Sequence, residues 1–206
     1  MRAALSTSRA LLRRLDGRER VGVALGRRQV DFGGYVLSLT PPGTPRMPNG
    51  VEVDLRLAPG DEVGYAGTEL VAGGEAITCG RIWDPVPARL PPVAGAPRAE
   101  GLLAKVGLGE GLTPYWDDVL AGYLAGLVLL HNRRAEAEAI ADLARPRTSS
   151  LSSTLLLHAA HGEVPEPVHA FLASADREPL LAFGHTSGRG WLEGLERAGC
   201  PAASGS

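Results

Sequence analysis

Residues 85–97 read Pro85-Val86-Pro87-Ala88-Arg89-Leu90-Pro91-Pro92-Val93-Ala94-Gly95-Ala96-Pro97. Proline fixes its own φ and pushes the residue before it out of the helical region, so this stretch is extended and no helix crosses it. The sequence reads as β on its N-terminal side and as α on its C-terminal side. This predicts a domain over 1–84, a linker over 85–99, a second domain over 100–200 and a disordered tail over 201–206. The expected fold class is α+β: a small β-rich domain, barrel-like or sandwich-like, followed by a mainly helical domain.

Seven short segments carry the β signal: Val21–Leu25, Gln29–Phe32, Tyr35–Leu39, Val51–Leu55, Glu62–Tyr65, Glu69–Val71 and Ala76–Thr78. Gly33-Gly34, Pro41-Pro42-Gly43, Pro48-Asn49-Gly50, Pro59-Gly60 and Gly73-Gly74 separate them, as expected of short strands joined by turns. Leu57-Ala58-Pro59-Gly60-Asp61-Glu62-Val63 reads as a tight turn into a strand. The first twenty residues hold six arginines (2, 9, 13, 14, 18 and 20) and two acids, Asp16 and Glu19. That composition resembles a transit peptide. The reading favoured here is an amphipathic surface helix, because Ala4, Leu5, Leu11, Leu12 and Leu15 recur at near-helical spacing.

Beyond Glu100 the apolar spacing becomes helical. Helices are predicted over Thr113–His131, Ala135–Ala144, Ser150–His161 (ended by Gly162), Pro167–Ala175 and Ser187–Ala198 (ended by Gly199 and Pro201). The longest apolar run, Val119–Leu130, is too short for the roughly 18 residues of a membrane span and reads as a buried helix.

The 206 residues are enough for one large domain or two small ones, and 44% hydrophobic content supplies a core. A net charge of −2 with 21% charged residues excludes a charge-driven disordered chain. It also gives no electrostatic footprint for nucleic acid. The basic residues are arginine apart from Lys105. Residues 1–90 hold 12 basic and 10 acidic residues, and residues 91–206 hold 9 and 13, so the helical half is the acidic one. Cys79 and Cys200 form neither a disulfide framework nor a metal cluster, which suggests a reduced compartment. With no signal-peptide core and no membrane span, the expected location is cytoplasmic.

Three segments carry candidate chemistry. The first is Gly107-Leu108-Gly109-Glu110-Gly111-Leu112-Thr113-Pro114-Tyr115-Trp116-Asp117-Asp118. Thr113 suits an N-cap and Pro114 the first helical position. A glycine-rich loop running into a helix N-terminus turns backbone N–H groups toward one point, where the macrodipole adds positive potential; that favours an anion. The loop lacks the Lys-Ser/Thr of a P-loop, and its third glycine comes too early for a dinucleotide fingerprint. Asp117 and Asp118 either stabilise the first helical turn or hold a substrate amide or Mg²⁺. The second segment is Gly184-His185-Thr186-Ser187-Gly188-Arg189-Gly190-Trp191. Here Thr186 or Ser187 would cap a helix, and His185 is either a surface residue or an acid, base or oxyanion donor. The third is Arg145-Pro146-Arg147-Thr148-Ser149-Ser150-Leu151-Ser152-Ser153, either a solvated cap or a phosphate- or carboxylate-binding cluster. Together, three hydroxyl- and glycine-bearing helix N-termini in one acidic domain fit a shared anionic ligand.

These residues resemble the AllH-like family. Gly107 through Leu124 resembles its G-x-G-x-G-L-T-P…D-D signature, and Thr148–Gly162, Gly184–Gly194 and Trp83-Asp84-Pro85 follow the family's later and earlier elements. The resemblance implies a subunit of an oxamate carbamoyltransferase in allantoin nitrogen metabolism. It transfers a carbamoyl group between phosphate and a small acceptor, in company with partner carbamoyltransferase subunits. On that basis Gly107, Gly109, Gly111 and Thr113 would cradle the anion, with Arg147 and Ser152 as further contacts. His185, Thr186, Ser187 and Gly188 would address the carbonyl, and Asp117 and Asp118 would orient an amide or a metal. The expected ligand is carbamoyl phosphate or an oxamate-like anion, and no membrane or nucleic-acid partner is expected. Two rival readings stay open: a non-catalytic accessory subunit, and an anion-binding module without turnover. Tyr115 and Trp116 stand where the family usually has small residues, and Arg189-Gly190 where it commonly has Ala-Asp; these differences bear on the ligand.

Overall fold

The computed structural model describes residues 2–88, 90, 93 and 97–200. The expected tail over 201–206 and much of the proline stretch lie outside the described residues. Contacts divide the chain into two compact units, one ending at Pro85 and the other beginning at Val86.

The first unit is a ten-stranded sheet. Its strands are β1 (Arg2–Ala3), β2 (Ser6–Ser8), β3 (Arg20–Ala24), β4 (Gln29–Asp31), β5 (Val36–Thr40), β6 (Gly50–Glu52), β7 (Glu62–Ala66), β8 (Glu69–Ala72), β9 (Glu75–Thr78) and β10 (Arg81–Trp83). Their order is β1-β9-β8-β7-β3-β4-β5-β6-β2-β10. β1 and β2 are two parts of one N-terminal segment, and they stand at or next to opposite ends of this order. β1 pairs in parallel with β9, while β2 lies between antiparallel β6 and parallel β10. The Leu5 N–H donates to Glu52 and the Leu5 carbonyl accepts from Arg81, which continues the closure between β1 and β2. The barrel-like alternative is therefore the one observed, and closure leaves Leu5, Ser6 and Thr7 paired on both flanks.

This corrects the reading of the N-terminus as a continuous helix. Only Arg9–Leu15 is helical (α1), capped by Ser8. Leu11 and Leu15 reach the barrel core, together with Val30, Leu37, Val63 and Ile77. Leu5 is 57% exposed, at the bend between β1 and β2. The Pro59-Gly60 turn forms as expected, with Asp61 accepting from the Ala58 N–H at 2.7 Å. The segment expected over Val51–Leu55 pairs only as β6, and β1, β2 and β10 are additions to the sequence reading.

The second unit is helical: α2 (Tyr115–His131), α3 (Arg134–Ala144), α4 (Ser150–Ala159), α5 (Glu166–Ser174), α6 (Glu178–Leu181) and α7 (Ser187–Arg197). α2 is its axis. Residues Val119, Leu120, Leu124, Ala125 and Leu127 are fully buried, which explains the unbroken apolar run. No helix among the described residues is long and apolar enough to cross a membrane. The short α6 was not expected, since its four residues carry no periodic signal.

α7 packs on α2 through glycines on both helices. A Cβ on Gly194 would lie 2.0 Å from the Val119 carbonyl oxygen, and one on Gly122 would lie 2.2 Å from that of Trp191. The backbones approach too closely for any side chain at these positions. This contact holds the N-terminus of α7 beside that of α2.

Candidate functional site

Three helix N-termini meet at two acidic side chains. Asp117 and Asp118 occupy the first turn of α2 and are 2% and 3% exposed. The α2 N-cap is Pro114, not the Thr113 expected from sequence: Pro114 is extended (φ −54°, ψ 140°), and its carbonyl accepts from Asp117 at 2.9 Å. The Thr113 hydroxyl instead donates to Asp118 Oδ2 at 3.1 Å.

Asp117 and Asp118 face different neighbours. Asp117 Oδ1 accepts from the Gly107 N–H at 2.8 Å, and its other oxygen accepts from the Thr148 hydroxyl. Thr148 immediately precedes Ser149, the N-cap of α4. Asp117 thus ties the glycine loop and the start of α4 to α2. Asp118 ties in α7: Ser187 hydrogen-bonds its carboxylate, and Ser187 Oγ lies 3.4 Å from Thr113 Oγ1.

Burial pushes the Asp118 carboxyl up to about 7. The hydrogen bonds from Ser187 and Thr113 oppose this rise, and the neighbouring Asp117 charge adds to it. The carboxyl therefore titrates near neutral pH, in the range useful for accepting or giving a proton.

The glycine loop has left-handed backbone at Gly107, Gly109 and Gly111. At Gly109 (φ +112°) a Cβ would also meet Tyr115 at 2.7 Å. At Gly107 a Cβ would meet the Arg147 carbonyl oxygen at 2.6 Å, so the backbones of the first and third segments touch. The loop itself is exposed, with Leu108 and Leu112 facing solvent.

The other expected residues sit differently. Arg147 contributes this backbone contact, while its side chain is exposed. Ser152 is buried, and its Oγ has no hydrogen-bond partner among the described residues. His185 is exposed. Thr186 is the N-cap of α7 but makes no side-chain cap bond, and Ser187 points to Asp118 instead of capping. Gly188 lies against α6, where a Cβ would be 1.7 Å from the Leu180 carbonyl oxygen. Gly190 packs on Asp118 itself, where a Cβ would be 2.8 Å from the Asp118 Cβ.

Tyr115 and Trp116 turn into a network beside the carboxyl pair. The Tyr115 hydroxyl donates to Glu193 at 2.6 Å, and Arg197 Nε donates to the other Glu193 oxygen at 2.9 Å. Lys105 Nζ sits 3.6 Å from the centre of the Trp116 ring. Burial and the Glu193 hydrogen bond push the Tyr115 phenol up to about 12. Burial raises the Glu193 carboxyl, but hydrogen bonds from Tyr115 and Arg197 outweigh it, and the net shift is downward. Sequence reasoning did not assign roles to Thr148, Glu193 or Lys105. Thr148 had a signal, its place just before a capping serine, and Glu193 had one in its i,i+4 spacing to Arg197; Lys105 had none, since its partner is an aromatic ring.

Among the described residues no cluster of three His, Cys, Asp or Glu side chains is placed to hold a metal ion. Asp117 and Asp118 already accept from protein donors. They fit the joining of helix N-termini better than a preformed Mg²⁺ site.

No curated protein and no solved structure matches the chain. The sequence resemblance to the AllH family extends over Gly107–Asp118, Thr148–Gly162 and Gly184–Gly194, all within the span matched by a family model; Trp83-Asp84-Pro85 lies outside it. Residues 105–198, a span that lies within the helical unit, match the family model described as oxamate carbamoyltransferase subunit AllH.

Proposed function

We propose that the chain is a subunit of a carbamoyltransferase, and that its helical unit binds a small anion, carbamoyl phosphate or an oxamate-like acceptor. The observation that carries this reading is the convergence of the α2, α4 and α7 N-termini about Asp117 and Asp118. Backbone N–H groups and helix dipoles gathered in one place favour negative charge. The exposed loop over Gly107, Gly109 and Gly111 forms the cradle, with the Thr113 and Ser187 hydroxyls, held by Asp118, at its inner edge. Carbamoyl transfer needs a held phosphate, a polarised carbonyl and a positioned acceptor, and no covalent enzyme intermediate.

Asp117 acts as the anchor of this arrangement, since both its oxygens serve protein donors. Asp118, titrating near neutrality, is the group suited to hold or release a proton as the ligand's charge changes. His185, Thr186 and Arg147 stand at the rim, where their side chains are free to reach an incoming ligand, and Ser152 and Gly188 support the helix N-termini from behind. Mg²⁺ would enter with a phosphate-bearing ligand rather than through a resident site.

The exposure of His185 favours a second reading, in which the chain binds the anion and a partner subunit supplies the remaining catalytic groups. Calorimetry and thermal shift with carbamoyl phosphate and with oxamate, on the chain alone and with its co-purified partners, test both. Binding lost in Asp118→Asn and Ser187→Ala supports the site. No shift with either anion at millimolar concentration, alone or in complex, rejects it. Turnover by the chain alone would reject the accessory reading.

A further inference from the structure

The barrel unit contains a small, partly open cavity of about 10 Å³, bounded by Thr7, Tyr65, Leu37, Val51 and Ile77 among others. Thr7 is on β2, the strand that closes the sheet, and Tyr65 is on β7. In the strand order β7 lies several strands from β2 in either direction, so the two hydroxyl-bearing residues come from well-separated strands. Both residues are almost fully buried, at 2% and 3% exposure. Neither Thr7 Oγ1 nor the Tyr65 phenol oxygen has a hydrogen-bond partner among the described residues.

Buried hydroxyls are nearly always satisfied, because an unpaired one keeps the full cost of its lost hydration. Here two unsatisfied groups border the same space. A cavity needs roughly 10–15 Å³ by this measure to hold one water molecule, so the volume fits one water and nothing larger. Leu37, Val51 and Ile77 form apolar walls, and Thr68 and Thr78 also border the space. Cys79 also borders the cavity; its thiol donates to the Gly80 carbonyl, which leaves the sulfur as a weak acceptor.

We infer that the barrel binds a single water molecule that bridges the Thr7 hydroxyl and the Tyr65 phenol. The water satisfies both groups and links the closing strand to β7 through the interior. This assigns the barrel cavity to structural solvent. It is independent of the function proposed for the helical unit.

The test combines density with thermodynamic coupling on the full chain. A crystal structure near 1.8 Å resolution is expected to show one solvent peak within hydrogen-bonding distance, about 2.6–3.2 Å, of both oxygens. Tyr65→Phe and Thr7→Val each preserve shape and remove one partner. Each is expected to lower the melting temperature of the barrel by roughly 2–4 °C, and the double variant by less than the sum, because the second substitution acts on a bridge already broken. An empty cavity, a rise in melting temperature in either single variant, or strict additivity would overturn the inference.

Discussion

Thr113 Oγ1 lies 3.4 Å from Ser187 Oγ, although the two residues are 74 positions apart. The contact joins the two glycine-rich segments at Asp118, and it exists because α7 packs on α2 without intervening side chains. The glycines of the second segment are therefore explained largely by packing, while its serine reaches the carboxyl.

The glycine seam sets the first expectation. Gly194→Ala places a Cβ 2.0 Å from the Val119 carbonyl oxygen, backbone that has no room to yield. A loss of about 3 kcal/mol or more is expected, within the range of severe overpacking. Gly26→Ala is the control, since its nearest atom is the flexible end of Gln29 at 3.5 Å, and it should stay within about 0.5 kcal/mol. Urea denaturation of both variants reads the difference.

Asp118 gives a pH dependence of defined sign. Its folded-state pKa of about 7 lies above the ordinary aspartate value of 3.8. Between these values the unfolded chain has lost the proton that the folded chain keeps, so stability falls as pH rises from about 4 to about 7 and levels off above that. Asp118→Asn removes this term. The stability of the parent relative to the variant should therefore decline across pH 5 to 7 and then stay constant. A flat difference over that range would show that the carboxyl is not held protonated.

Thr148→Val removes the hydroxyl that donates to Asp117 and leaves a buried carboxylate short of one donor. The expected loss is about 1–3 kcal/mol. Thr148→Ser keeps the donor and should recover most of it. Equal losses in the two variants would mean that the methyl group, not the hydrogen bond, matters at this position.

Tyr115→Phe tests the network beside the site. Glu193 keeps Arg197 but loses the Tyr115 donor, so its carboxyl should titrate higher, as followed by carbon-detected NMR. The stability change should be modest, about 1 kcal/mol. An unchanged Glu193 titration would remove Tyr115 from the network.

The N-terminus offers a test of strand against helix. Leu5→Ser should change stability by no more than about 0.5 kcal/mol, because Leu5 faces solvent from the barrel wall. Leu11→Ala should cost about 2–5 kcal/mol, because Leu11 fills the core. An amphipathic helix through both residues would make the two substitutions similar.

Much of the fold was legible because its signals are local. The five prolines after Asp84 separated strand from helix by stereochemistry, and the buried axis of α2 followed from an apolar run long enough for a helix and too short for a membrane. The N-terminal segment misled because leucines at positions 5, 11, 12 and 15 mimic helical spacing while straddling a strand and a short helix. At the candidate site, Asp117, Asp118, Thr113 and Ser187 were found from the sequence and do come together. Thr186 or Ser187 was expected to cap α7; Thr186 holds the N-cap position without a side-chain cap bond, and Ser187 is directed to Asp118.

By itself the sequence determined the division into a β part and an α part, the placement of two acids in the first turn of the central helix, and the left-handed turns that only glycine adopts readily. Each of these depends on residues close together in the chain. Only the tertiary structure decided that residues 2–8 close the barrel, that Asp117 takes its donors from Gly107 and Thr148, and that Asp118 meets Ser187. Those outcomes depend on pairings between distant segments, where backbone closeness and burial, rather than local preference, select the partner.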